Sequence, residues 1–476
     1  MRLIATIVLS ISLIAASPAT PQGWSPQPWP ADLAQAQQAF ETKYANLDWL
    51  EHDRGLALAT LFEMASTQIR SARSDEEAKA VINRLIERVG DGHVSIEWPR
   101  TVARGQNSIA ATARQYDICQ ELGFDQERNA PGIVASLPGY RSVGRPDAFP
   151  AGVVRIGRQS VGLIRIGGFE PQGSPSICRA SLRALHRSAD RPCDEQCEDA
   201  VLTQSYIELT KALEEQVRAI GASGAKTLLV DITDNGGGTE WAEAAARMLS
   251  PRTLTSERRG FVRGPHWSEQ WKSLATQLRE AAASADTRDR PRLLNWAADA
   301  EKAHADAERR CPEGQACSIL GRAGFATGLV GRARAGEFAG KPWADLVFSI
   351  AKFPYHDSVW TGPLVVLVDD QTWSAAEEFA AILQDNGAAA IIGTRTGGAG
   401  CGHTNGGTPT ILKHSGATLE LPDCVRFRAD GSSEVAGVIP DVLTGMKASD
   451  GRMFKVKLIE THLPEAVSMA RKKQQR

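Results

Sequence analysis

Residues 227–233 read TLLVDIT, an apolar run that is almost unbroken where a half-exposed strand would alternate. Such a run suits a strand covered on both faces. Asp234-Asn235-Gly236-Gly237-Gly238 follows, and then the helical pattern WAEAAARML. Strand, glycine turn and helix are the grammar of a βαβ unit. The same grammar returns at PLVVLVDD, QTW and SAAEEFAAILQDNG, with Gly387 closing the helix and AAAIIGT as the next strand. An α/β fold with a parallel sheet is therefore expected. Both turns then open at one carboxyl edge, where such sheets bind ligands.

The chain has 476 residues, enough for two or three domains with cores of their own. A formal net charge of -2 gives no footprint for nucleic acid or an anionic membrane surface. Met1-Arg2, the apolar run LIATIVLSISLIAA and the small-residue exit SPATPQ read as a secretory leader over residues 1–22. That run is too short to span a bilayer, so no membrane span is expected after cleavage, and the location implied is periplasmic or secreted. Eight cysteines in an exported chain suit disulfides. Cys193/Cys197 and Cys311/Cys317 are local pairs, which leaves Cys119/Cys178 and Cys401/Cys424; spacing alone does not fix this pairing. The short spacings lack the companion pair of a zinc site, and neither HExxH nor a P-loop occurs, so no metal or cofactor is expected.

Residues 23–98 read as a helical subdomain. WPADLAQAQQAFETKY and LALATLFEMASTQIR have helical apolar spacing. A third helix has a Ser74/Glu77 capping box and Gly90 at its end, followed by Asp91-Gly92-His93 and the strand VSIEW. Residues 99–160 are irregular or β connecting sequence. The core is expected over 161–250 and 351–445, split by a mostly helical insertion at 251–350. Residues 446–476 read as a tail whose basic end, ARKKQQR, is frayed and solvated.

Ser374 stands where a strand meets a helix. Ser374 and Glu377 have the spacing of a capping box, the commonest role for such a serine. The same place suits a nucleophile. The N–H of Ala375 is free at the helix start, and the helix dipole favours a developing oxyanion. The glycine turn at 236–238 brings further main-chain N–H groups without side chains in the way. A serine also needs a base. Of nine histidines, His93 stands out in its tight turn, and His403, in the glycine-rich loop TRTGGAGCGHTNGG, is the rival. Asp91 is expected to hold the turn before His93.

These pieces resemble the C-terminal processing, or tail-specific, serine peptidases, in the branch that includes the tricorn protease core. The matching motifs are GDGH (Gly90–His93), VGLIRIGGF, VDITDNGGG, VVLVDDQTWSAAEEFA, AAIIGTRTGG and EVAGVIPD (Glu434–Asp441), six in order. The resemblance implies a ClpP/crotonase-like core and peptide-bond hydrolysis, with a peptide or protein as partner. It implies Ser374 as nucleophile, His93 as base and Glu434 as the carboxylate that orients the imidazole. Ala375 and a glycine of the turn, Gly237 or its neighbour Gly236, would form the oxyanion hole. Two positions depart from the family's patterns. Ala399 stands where tail-processing members have a lysine base, and Gly92 stands where the tricorn branch has a serine. No PDZ pattern is visible between 100 and 160. The other readings of the same serine are an esterase or acyl-transfer enzyme, and a non-catalytic binding protein on the same fold.

Overall fold

A computed structural model describes residues 24–99, 116–124, 130–145, 147–310 and 318–475. The expected leader and the Cys311/Cys317 pair lie outside these residues. In TLLVDIT, Leu228 and Val230 enter one core and Leu229 the other, so the unbroken apolar run reflects burial on two faces.

The central sheet has seven strands in plain chain order: β1 (Arg141–Ser142), β2 (Ala151–Ile156), β3 (Gln159–Arg165), β4 (Thr227–Asp231), β5 (Leu364–Val368), β6 (Ala390–Gly393) and β7 (Val442–Leu443). The first two pairings are antiparallel, and from β3 to β7 every pairing is parallel. The ends of β3, β4, β5 and β6 therefore share one carboxyl edge.

Helices Asp75–Val89 (α1), Trp241–Leu249 (α2), Ala375–Asp385 (α3) and Arg452–Gln475 (α4) do most to place the site. Residues of α2 and α3 cover one face of the sheet. The other face is covered by α4 through Val456, Ile459, Leu463, Ala466, Val467 and Ala470. This corrects the reading of a frayed tail. The basic end of α4 is anchored, since Lys473 Nζ donates to Asp441 Oδ2 (2.9 Å) and to the Ala389 carbonyl (3.0 Å). Its apolar stripe has a sheet to cover, which its own polar sequence does not announce.

α1 is capped as its sequence predicts on one side. Glu77 N–H donates to Ser74 Oγ (3.2 Å), while the Glu77 carboxylate turns to Arg73 N–H (2.8 Å). Gly90 ends the helix at φ +68°, a left-handed conformation that glycine adopts without strain. The N-terminal helices pack on Leu412, Leu419 and Val435 from the late part of the chain, which brings the α1 exit over the carboxyl edge.

The stretch 251–350 contains a helical hairpin, Pro265–Ser284 and Asp289–Glu308, but also two strands. Arg258–Val262 and Leu320–Phe325 pair antiparallel with each other, and Arg258–Val262 pairs with Cys424–Phe427. The segment is thus stitched into the core sequence. Disulfides join Cys119 to Cys178, Cys193 to Cys197 and Cys401 to Cys424.

Candidate functional site

The turn between β5 and α3 places Ser374. Asp369 N–H donates to Thr372 Oγ1 (3.0 Å), and Thr372 Oγ1 donates to the Ile232 carbonyl (3.0 Å), tying this turn to the end of β4. Trp373 N–H donates to the Asn235 carbonyl (2.9 Å), which lashes it to the glycine turn. Ser374 itself sits at φ +54°, ψ −120°. A non-glycine residue there is strained by about 1–3 kcal/mol, and such strain persists only where the surroundings over-determine it. A sharp strand-to-helix turn of this kind exposes a hydroxyl at the sheet edge.

His93 arrives from the exit of α1. Asp91 Oδ1 accepts the His93 N–H (3.0 Å), while Oδ2 accepts Tyr44 Oη (3.0 Å) and Asn46 Nδ2 (2.9 Å). Asp91 therefore braces the turn, and burial pushes its carboxyl up to about 6. Gly92 N–H donates to the Gly398 carbonyl (3.2 Å). A Cβ at Gly92 would fall 2.2 Å from the Trp373 ring, which explains why a serine finds no room there.

The two side chains meet. His93 Nε2 lies 3.2 Å from Ser374 Oγ, and His93 Nδ1 lies 2.5 Å from the Ala399 carbonyl oxygen. A carbonyl only accepts, so Nδ1 carries the proton and Nε2 presents its lone pair to the hydroxyl. Burial holds the imidazole pKa below its ordinary value, with Arg426 adding to the effect; the Ala399 bond and Glu434 act the other way. The ring is thus held neutral, as a base must be.

Glu434 does not bond the imidazole, as the third member of such a set is expected to do. Its Oε2 accepts from Arg426 Nε, and its Oε1 is buried with no hydrogen-bond partner among the described residues. The reason is Arg426. This buried guanidinium also donates to Glu378 Oε2 (2.9 Å) and to the Gly400 carbonyl (2.9 Å), and a carboxylate pairs more strongly with it than with a neutral ring. Glu434 reaches His93 through its charge alone.

Ala375 is the first residue of α3, so its N–H has no intrahelical acceptor. Gly237 departs from the expected role of donor, because its N–H is already given to Asn235 Oδ1 (2.8 Å). What Gly237 supplies is space: a Cβ there would stand 2.9 Å from Ser374 Cβ and 3.0 Å from Ala375 N. Gly236 is exposed and has open space around it. It lines a cleft of about 640 Å³ at the same carboxyl edge, together with Arg165, Thr233, Asp369 and Thr394.

His403 packs edge-on to the His93 ring at 6.0 Å and makes no recorded bond to Ser374; its Nε2 is buried without a partner among the described residues. Glu377 is the residue the local pattern understated. Its carboxylate accepts Ser374 N–H (3.0 Å), Ala399 N–H (2.8 Å), Gly398 N–H (2.8 Å) and Thr396 Oγ1 (2.6 Å). Arg426 and the Ala399 carbonyl carried no signal in the sequence. Among the described residues, no group of three or more His, Cys, Asp or Glu is placed to hold a metal.

The sequence profile described as Peptidase family S41 matches residues 161–444, more than half of the chain. An uncharacterized protein of Chlamydia muridarum (strain MoPn / Nigg) is 46% identical over 107 residues, which are 22% of this chain and 18% of that protein. The match thus spans about a fifth of that relative's length. Among solved structures, mature CPAF superposes with a TM-score of 0.57 at 14% identity, covering 93% of this chain and 98% of the other. Mature CPAF complexed with lactacystin gives 0.55 at 14% identity, with 94% and 99% covered. At that identity the likeness is one of fold.

Proposed function

This chain belongs to peptidase family S41 and is a serine-type peptidase; from that premise we propose that it is an exported endopeptidase working through Ser374, His93 and Glu434. The observation that carries the reading is the 3.2 Å approach of His93 Nε2 to Ser374 Oγ, with Nδ1 committed to the Ala399 carbonyl. His93 takes the hydroxyl proton as Ser374 Oγ attacks the scissile carbonyl. The oxyanion is received at the free Ala375 N–H, at the positive end of α3. His93 returns the proton to the leaving amine, and water then hydrolyses the acyl-enzyme by the same base. Glu434, held by Arg426, favours the imidazolium by charge at a distance. The disulfides among the described residues suit an oxidising compartment, which supports export.

A fluorophosphonate probe tests the nucleophile. Wild type should label and Ser374→Ala should not, with peptide turnover lower by about 10³-fold or more. His93→Ala should lose a similar factor. Equal labelling of Ser374→Ala would overturn the assignment. Cleavage of peptides in preference to matched esters separates a peptidase from an esterase, and absence of any labelling would point to a binding protein.

A further inference from the structure

Four hydrogen bonds close a ring around the proposed pair. His93 Nε2 meets Ser374 Oγ, and His93 Nδ1 donates to the Ala399 carbonyl. Ala399 N–H donates to Glu377 Oε2, and the same oxygen accepts the N–H of Ser374. One carboxylate oxygen therefore fixes the main chain on both sides of the gap that the proton must cross. The other oxygen, held by Thr396 Oγ1 and Gly398 N–H, stops the carboxylate from turning away.

We propose that Glu377 is a positioning residue that keeps the His93 acceptor peptide in register with the Ser374 turn, a role beyond capping the helix. The inference rests on the Ser374–His93 reading above. A capping glutamate needs only the Ser374 N–H. Here three further donors come from a loop that begins 19 residues downstream, and that loop carries the carbonyl that orients the base. An error of about 1 Å between nucleophile and base costs on the order of 10²-fold in rate, so fixing both peptides from one atom bears directly on turnover.

Glu434 is the charged group that acts on this carboxylate; His93 is joined to it through Ala399, and Arg426 pairs with Glu434 and Glu378. On α3 itself, Glu378 turns away to Arg426. Burial, and then the charge of Glu434, push the Glu377 carboxyl up to about 7, against the pull of the Thr396, Ala399 and Gly398 donors. Protonating Glu377 takes one of its oxygens out of the acceptor set and protonating His93 removes the base, and both happen on the acid side.

Three variants and one profile test this. Glu377→Met removes both oxygens and should lower kcat by about 10²-fold with KM within about threefold. Glu377→Gln keeps one oxygen that can face Ser374 and Ala399, and should recover at least about tenfold of that loss. Thr396→Val frees the far oxygen and the Val438 N–H but leaves the ring closed, so it should lower the denaturation midpoint and reduce kcat by a smaller factor than Glu377→Met does. In wild type, the fluorophosphonate labelling rate should fall more steeply on the acid side than in Glu377→Gln, which has lost one of the two titrating groups. Turnover by Glu377→Met near the wild-type level would overturn the proposal. So would losses of kcat in Glu377→Gln and Thr396→Val that simply track their losses of stability. If Glu377→Met does not fold, this comparison of acid limbs decides, and equal steepness in wild type and Glu377→Gln overturns it. A dead Ser374→Ala beside a fully active Glu377→Met would refute the positioning role alone and leave the peptidase reading standing.

Discussion

Substitution at Gly237 separates room for an oxyanion from the supply of a hydrogen bond. Its N–H is spent on Asn235 Oδ1, so Gly237→Ala removes no donor from the site. The added Cβ would instead stand 3.0 Å from Ala375 N, about the distance at which an oxyanion accepts. It would also lie 2.9 Å from Ser374 Cβ and 3.0 Å from the Trp373 carbonyl, both within the strained turn. Denying the Ala375 donor is worth about 2.7–4 kcal/mol in the transition state, a kcat lower by about 10²–10³-fold. The native φ of +105° adds about 1–3 kcal/mol of strain to the folded state for any side chain. Gly236→Ala is the matched control. No atom lies within 4 Å of its Cβ and its φ is outside the left-handed range, so stability should change by less than about 1 kcal/mol and kcat by less than about threefold. Active sites should be titrated with fluorophosphonate before peptide turnover is compared, and stability taken from denaturant midpoints at equal m. Gly237→Ala turning over at the wild-type rate, or Gly236→Ala damaged as much, would refute this account of the turn.

Two further outcomes concern the frame around the pair. Cys401–Cys424 closes a loop over 23 positions, and its neighbours are the Ala399 carbonyl and Gly402, whose Cβ would stand 3.1 Å from the His93 ring. Cys424→Ser, or reduction, should cost about 3 kcal/mol of stability and slow labelling of Ser374 more than it weakens substrate binding, as read from kcat and KM. Stability and activity should also respond oppositely to pH. Burial raises the carboxyls of Asp91 to about 6, Glu377 to about 7 and Glu378 to about 8. Each group's contribution is fully present below its unfolded pKa near 4 and is lost as pH rises through the folded value. Between pH 6 and 8 the native state therefore binds protons that the unfolded chain has released, and each group still protonated in the native state lowers stability by up to about 1.4 kcal/mol per pH unit. The denaturation midpoint should fall from pH 6 to pH 8.5 while turnover rises, and a midpoint that rises with pH would contradict these burial effects.

The strand TLLVDIT, its glycine turn and the repeat of that grammar before Ser374 were determined by the sequence itself. A strand buried on two faces must be apolar throughout, and a tight turn at a ligand edge must use glycine, so both leave a readable pattern. The residue types of a hydrolytic pair were readable for the same reason. Tertiary structure alone decided their partners. Ser374 and His93 are 281 residues apart in the chain, and their 3.2 Å approach exists only because the N-terminal helices pack on Leu412 and Leu419. The imidazole is oriented by a main-chain carbonyl, and carbonyls are the same in every residue, so Ala399 could not announce itself. Glu434 has the right residue type but is held by Arg426, whose claim depends on a buried cluster no spacing reveals. Helix α4 looked like a basic tail because its apolar stripe is sparse, and only the uncovered face of the sheet gives that stripe a purpose.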